Sequence, residues 1–237
     1  MNGSSRTRRS ERIQDQLSGI RVRSSRVGTL CVARSEPITL DVFFDYLCPF
    51  VFRAAGLLDA VRRSGRRDVE VRWRYFSLTQ VNSKNDGWTV WSAPASENVR
   101  GRLAFGAAEA ARRQGRFDDL HMPMLWARHR DRLDIDDPAV VEQLAVDVGL
   151  DIERFRRDLA DPKVLDGLAR DHGEAVGELG VFGTPTFVFA DGASAYVRLA
   201  DGVDDNDAPE VFDRLVTVAA AEPRILEIKR PRRPSTD

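Results

Sequence analysis

The chain has 237 residues, 42% of them hydrophobic and 31% charged, enough for one globular domain of ordinary size with an insertion or for two small ones. With 36 basic against 37 acidic side chains the formal charge is -1, so no whole-protein field points to nucleic acid or an acidic polymer as partner. No apolar run approaches the roughly 18 residues of a membrane span.

Residues 1–36 hold eight arginines against Glu11, Asp15 and Glu36, lack apolar periodicity, and carry no core of signal-peptide length. They read as a disordered basic leader. Cytoplasm is the expected compartment, because two cysteines, Cys31 and Cys48, make no disulfide framework. Ile38 to Phe44 is rich in β-branched and aromatic residues, the pattern of a buried strand. The stretch from about Cys48 to Ser64, with Val51, Ala55, Leu58 and Val61 on one side, reads as a helix closed by Gly65. Val69 to Tyr75 alternates Val69, Val71, Trp73 and Tyr75 with Glu70, Arg72 and Arg74, a strand of period two. This β-α-β unit implies a parallel pair with a right-handed crossover.

Residues 77–98 show no clear period and read as a loop in which Trp88 and Trp91 stand out. Helices are expected at 99–114, 117–130, 138–148, 151–159 and 162–179, the third with Asp137 as N-cap and Pro138 at its first position. Residues 186–190 and 195–199 then form a hairpin around Asp191-Gly192. A last helix runs over about 209–221, with Asp207 and Glu210 spaced as in a capping box. Residues 223–237 read as a basic tail. The domain thus spans about 37–222, with a helical insertion at about 97–180, and has the α/β order β-α-β, helices, β-β-α.

Two motifs carry chemistry. In Phe43-Phe44-Asp45-Tyr46-Leu47-Cys48-Pro49-Phe50, a strand runs into a turn and places Cys48 at a helix N-terminus. Unpaired N–H groups and the positive end of the helix dipole favour a thiolate there, and Pro49 fits a first helical position, where its missing N–H costs nothing. The second motif is Val181-Phe182-Gly183-Thr184-Pro185-Thr186-Phe187. Proline at the mouth of an internal strand removes a ladder donor, and a cis Thr184-Pro185 bond accounts for it. Such an edge, opposite a cysteine, can pair with the backbone of a peptide or thiol substrate.

On these residues the chain resembles the DsbA-like branch of the thioredoxin fold. It is most similar to the FrnE-type members and their relatives, the 2-hydroxychromene-2-carboxylate isomerases and kappa-class glutathione transferases. The resemblance covers about residues 38–221 and rests on 44–50, 76–82 and 179–187. It implies a thioredoxin-like fold, with Cys48 as nucleophile and Thr184-Pro185 as the cis-proline loop. One position departs: Val51 stands where FrnE-type members carry a resolving cysteine, so no intramolecular disulfide can form at the site. Cys31 is a poor substitute, because the leader would have to bring it within about 4.4–6.8 Å of Cys48, Cα to Cα.

The resulting expectation is a thiol-disulfide oxidoreductase of monothiol type. Its Cys48 thiolate forms a mixed disulfide that an external thiol resolves. Thr184 and Pro185 hold the substrate edge, while Tyr46, Pro49 and Phe50 shape the approach. No bound cofactor is expected; a low-molecular-weight thiol, glutathione-like or mycothiol-like, is the implied co-substrate, and a small-molecule or protein thiol or disulfide the partner. Two alternatives stay open on the same fold: a thiol-cofactor-dependent transferase or isomerase, and a binding module whose redox motif has decayed. Trp88, Trp91 and Trp126 are either an aromatic wall beside the thiol or core. His121, His129 and His172 have no metal-ligand spacing and read as structural. Asp134, Asp136 and Asp137 suggest no cation site once Asp137 is a cap.

Overall fold

The computed structural model describes residues 37–200, 202–222 and 224–228. The leader at 1–36, Cys31 and residues 229–237 of the tail lie outside the described residues. The expected α/β order is present. Strand β1 (Ile38–Phe44) is followed by helix α1 (Pro49–Ser64) and strand β2 (Val69–Tyr75). A short helix α2 (Leu78–Val81) then leads into α3 (Arg102–Arg113), α4 (Phe117–His129), α5 (Pro138–Asp147) and α6 (Ile152–Leu159). A 3-10 turn (Pro162–Leu165) runs into α7 (Asp166–Gly177), and β3 (Thr186–Phe189), β4 (Ser194–Tyr196) and α8 (Ala208–Ala219) complete the fold.

The sheet order is β2-β1-β3-β4. Strands β1 and β2 pair in parallel, with Ile38 opposite Val69 and Phe44 opposite Tyr75, while β1–β3 and β3–β4 are antiparallel. β1 is therefore internal and buried on both faces. Leu40, Val42 and Phe44 enter the large core beneath α1, α3, α4 and α8, and Phe43 joins Phe76, Ala175 and Val181 on the opposite side. That second layer is tied down by charge. The largely buried Arg74 guanidinium on β2 reaches Asp41 of β1 at 3.0 Å and Asp171 and Glu174 of α7 at 3.1 and 2.5 Å. Asp171 also accepts the Tyr75 N–H at 3.1 Å. Removing one member of such a set strands the remaining charges away from water, so α7 is held in one register.

Three local expectations change. Ser77 caps α2 inside the stretch read as loop, its side chain accepting the Gln80 N–H at 3.1 Å. The segment read as one helix over 162–179 is a 3-10 turn followed by α7, with Asp161 accepting the Lys163 N–H at the turn's start. Asp207 makes no side-chain capping bond: its own backbone is already α-helical (φ -89°, ψ -17°), which takes the side chain away from the first free N–H groups.

Candidate active site

Cys48 is the N-cap of α1, with extended backbone (φ -86°, ψ 116°) and Pro49 in the first turn. The chain arrives there through a tight turn. The Cys48 N–H donates to the Asp45 carbonyl at 3.0 Å, and the Cys48 carbonyl accepts the Val51 N–H at 3.1 Å. The side chain turns toward the β3 end of the sheet, where Sγ donates to the Thr184 carbonyl at 3.2 Å. The Thr184–Pro185 peptide is cis. Cys48 keeps only 5% of its surface exposed, and Val51, one turn further along α1, is fully buried.

The structure thus brings Cys48, Thr184 and Pro185 together across 136 residues of chain. Pro49 lies exposed on the outer side of the turn, and the half-buried Phe50 next to it carries two guanidinium groups over its ring, Arg53 at 5.4 Å and Arg198 at 4.0 Å. Thr184 contributes a second feature. Its Oγ1 is buried and has no hydrogen-bond partner among the described residues, which for a hydroxyl costs on the order of 1–3 kcal/mol. Next to it, Phe182 is 69% exposed and packs on Tyr196 with ring centres 5.0 Å apart.

Tyr46 requires a correction. Expected at the substrate's approach, it is fully buried, edge-on to Phe44 at 5.0 Å, with its hydroxyl 3.1 Å from His121 Nδ1. Its backbone carbonyl accepts from His129 Nε2 at 2.8 Å. Two residues before Cys48, Tyr46 is therefore an internal post that α4 grips at both ends. Burial pushes the Tyr46 phenol well above its ordinary pKa and drops His121 to about 3, so both are neutral. Among the described residues His121 Nε2 has no partner, so one polar atom of this pair stays unmatched whichever ring nitrogen carries the proton.

Asp45 is the second brace. Fully buried, its carboxylate accepts the Leu47 N–H at 2.8 Å and the Leu78 N–H at 2.7 Å, and so fastens the Cys48 turn to the start of α2. Burial raises its pKa to about 6, against the lowering by those two N–H groups. His172 extends the brace by accepting the Ser77 N–H at Nδ1, 3.2 Å away. Neither Asp45 nor the histidines were identified as site residues from sequence. The one available signal lay in α4: His121 and His129 are eight residues apart, about 80° around the helix, and so fall within one broad face.

Leu47 packs on Gly101, whose φ of 80° and 3.0 Å clearance to the leucine leave no place for a side chain. It also borders a cavity of about 720 Å³ shared with Leu78, Asn82, Trp88, Glu97 and Arg100. The tryptophans do not make one wall. Trp88 lines that cavity, Trp91 packs on His172 at 5.5 Å, and Trp126 is 37% exposed beneath Arg130. Asp137 caps α5 through the Ala139 N–H, and Asp136 accepts the Gly101 N–H at 2.7 Å. No group of three or more metal-ligating side chains occurs among the described residues.

A family model described as the DSBA-like thioredoxin domain matches residues 39–216. The chain belongs to this family. Among curated proteins, the DSBA-like chain is 29% identical over 203 residues to the uncharacterized protein Rv2286c of Mycobacterium tuberculosis, covering 83% of this chain and 84% of that protein. It is 31% identical over 152 residues to the Na(+)/H(+) antiporter NhaA 1 of Mycobacterium sp. (strain KMS), covering 64% of this chain. That match spans 21% of the antiporter's length. Among the described residues no helix is long and apolar enough to cross a membrane. A solved structure of a probable DsbA oxidoreductase from Streptomyces coelicolor shares the fold at a TM-score of 0.55 and 23% identity, over 84% of this chain and 97% of that one.

Proposed function

We propose that the DSBA-like domain is a thiol-disulfide oxidoreductase of monothiol type. The observation that carries this reading is the bond from Cys48 Sγ to the Thr184 carbonyl, made at a helix start whose next turn offers Val51 and no second thiol. In the first step the Cys48 thiol gives its proton to solvent, and the thiolate attacks one sulfur of a disulfide. A Cys48–substrate S–S bond forms, the original S–S bond breaks, and the other sulfur leaves with the electron pair. In the second step the thiolate of an external low-molecular-weight thiol attacks the substrate sulfur and releases Cys48 as thiolate. Deprotonation removes the S–H donor from the Thr184 carbonyl. That oxygen and the unpartnered Thr184 hydroxyl are then free for a polar group of the substrate.

Intact-mass measurement after exposure to oxidised glutathione tests the reading in a Cys31→Ser background, where Cys48 is the sole thiol. One adduct should form, a thiol should reverse it, and Cys48→Ser should abolish it. A folded protein that gives no adduct at Cys48 overturns the monothiol mechanism. The cavity beside Leu47 favours a second reading, a thiol-cofactor-dependent transferase or isomerase in which Cys48 only orients the cofactor's sulfur. There the Cys48→Ser protein should retain activity, since a hydroxyl can hold a thiol by hydrogen bonding.

A further inference from the structure

The geometry points to an anion-recognition site formed by Arg53 and Arg198 around Phe50, which selects thiols and disulfides that carry a carboxylate. The inference rests on the monothiol reading for its chemistry and on separate observations for its site. Both guanidinium carbons lie within 5.4 Å of one ring centre, and hence within a Debye length of each other, about 10 Å at 0.1 M salt. Two like charges held that close repel. Elsewhere the domain's arginines are commonly matched to carboxylates, as in Arg67–Asp213 at 2.7 Å or Arg156–Glu142 at 2.5 Å, whereas Arg53 and Arg198 have no acidic partner among the described residues.

The pair is anchored where the thiol chemistry happens. Phe50 is the second residue of α1, two positions after Cys48. On the other chain segment, the Val197 N–H donates to the Pro185 carbonyl at 3.0 Å, which fixes Arg198 one residue beyond the cis-proline contact. Arg53 is held by a 2.8 Å bond from Nη1 to the Leu199 carbonyl, which leaves its other donors available. Arg198 is exposed. A planar guanidinium suits a carboxylate because two parallel N–H bonds match its two oxygens, and stacking on an aromatic ring limits the freedom lost on binding. A co-substrate of the glutathione class, with carboxylates, meets this requirement; an uncharged low-molecular-weight thiol does not.

Two measurements test the site. The first is calorimetric binding of S-methylglutathione, which has the carboxylates and cannot exchange. It should bind, and Arg53→Gln with Arg198→Gln should weaken it by at least about tenfold, while Arg157→Gln with Arg66→Gln, both exposed, removes as much charge without effect. The second is the rate of Cys48 mixed-disulfide formation with dithiodiglycolate against bis(2-hydroxyethyl) disulfide, each divided by its rate with a free thiol in solution. The normalised ratio should favour the carboxylate by about tenfold at low salt and fall toward unity with added salt or in the double variant. No binding, or equal binding by the double variant, overturns the anion site, as does a normalised ratio of one. Binding that depends on both arginines, without adduct formation by any disulfide, supports the site and overturns the monothiol reading.

Discussion

The turn that carries Cys48 has two unlike sides. On the inner side most polar groups are matched by other parts of the fold: Asp45 holds Leu47 and Leu78, His121 meets the Tyr46 hydroxyl, and His129 holds the Tyr46 carbonyl, with His121 Nε2 the exception. On the outer side the matches are missing. Among the described residues Thr184 Oγ1 has no partner and no carboxylate pairs with Arg53 or Arg198 over their shared ring, and Phe182 is largely exposed. The contrast separates support from recognition. A side closed by internal bonds fixes where the sulfur sits, and a side with open donors and acceptors is the one that a substrate completes.

The largest change should come from the boundary between the two sides, at Val51. This residue lies one turn after Cys48 and is fully buried, so a thiol placed there is shielded from solvent and close to Cys48. In Val51→Cys, an adduct at Cys48 should collapse into an intramolecular disulfide, because attack within one turn of helix replaces attack by a second molecule. Intact mass should show the oxidised protein lighter by two hydrogens and little adduct, against a persistent adduct in the parent. A variant that holds the adduct as long as the parent does would mean that α1 does not bring position 51 to the sulfur.

The inner side should reveal itself through pH. His121 is kept neutral by burial, with a pKa of about 3 against an ordinary 6.5. Its contribution to stability is complete above pH 6.5 and is lost as pH falls toward 3, about 5 kcal/mol in all. Asp45 has the opposite sign. Burial raises it from 3.8 to about 6, so its contribution is complete below pH 4 and is lost as pH rises through 6, about 3 kcal/mol. Between those limits the unfolded chain takes a proton at the imidazole while the folded chain takes one at the carboxyl, and the two balances cancel. Asp45→Asn removes one of them. The stability difference between parent and variant, from urea midpoints, should shift by about 3 kcal/mol in the variant's favour between pH 4 and 7. A difference that stays flat across that range would place the Asp45 carboxyl in contact with solvent.

The two sides also differ in how far they could be read from sequence. The strands Ile38–Phe44 and Val69–Tyr75 match their predicted bounds because alternation and β-branching are local properties. The pairing of Cys48 with Thr184-Pro185 came from motif resemblance. The braces were not legible. His121 and His129 reach Tyr46 from 75 and 83 residues away, a relation set by how α4 packs and not by any pattern near position 46. Tyr46 was misjudged for the same reason: an aromatic beside a reactive cysteine is equally apt for a wall or for core, and only the packing of β1 against α4 decides. Arg198 went unread because its partner ring belongs to α1.

A smaller effect is expected from cutting a single inner bond. In Tyr46→Phe the ring and its packing on Phe44 remain, and His121 loses its one hydrogen-bond partner while staying fully enclosed. Leaving a buried polar atom unmatched costs about 1–3 kcal/mol, so the stability read from urea unfolding should fall by that amount. Adduct formation at Cys48 should slow only slightly, since the Tyr46 carbonyl is still held by His129.

The smallest effect should also be the most diagnostic, because it has opposite signs on the two readouts. Thr184→Val replaces a hydroxyl by a methyl of similar size, at a buried position whose oxygen has no partner. For the free protein this removes an unsatisfied group, and stability should rise by about 1 kcal/mol. If the outer side is completed by substrate, the same change deletes one of the groups that a substrate would bond. The rate of adduct formation should then fall severalfold, with the Cys48-to-carbonyl contact intact. A variant that is both more stable and as fast as the parent would leave the hydroxyl without a role in recognition. One that is less stable would show that Thr184 Oγ1 already has a partner, such as an enclosed water, in the free protein.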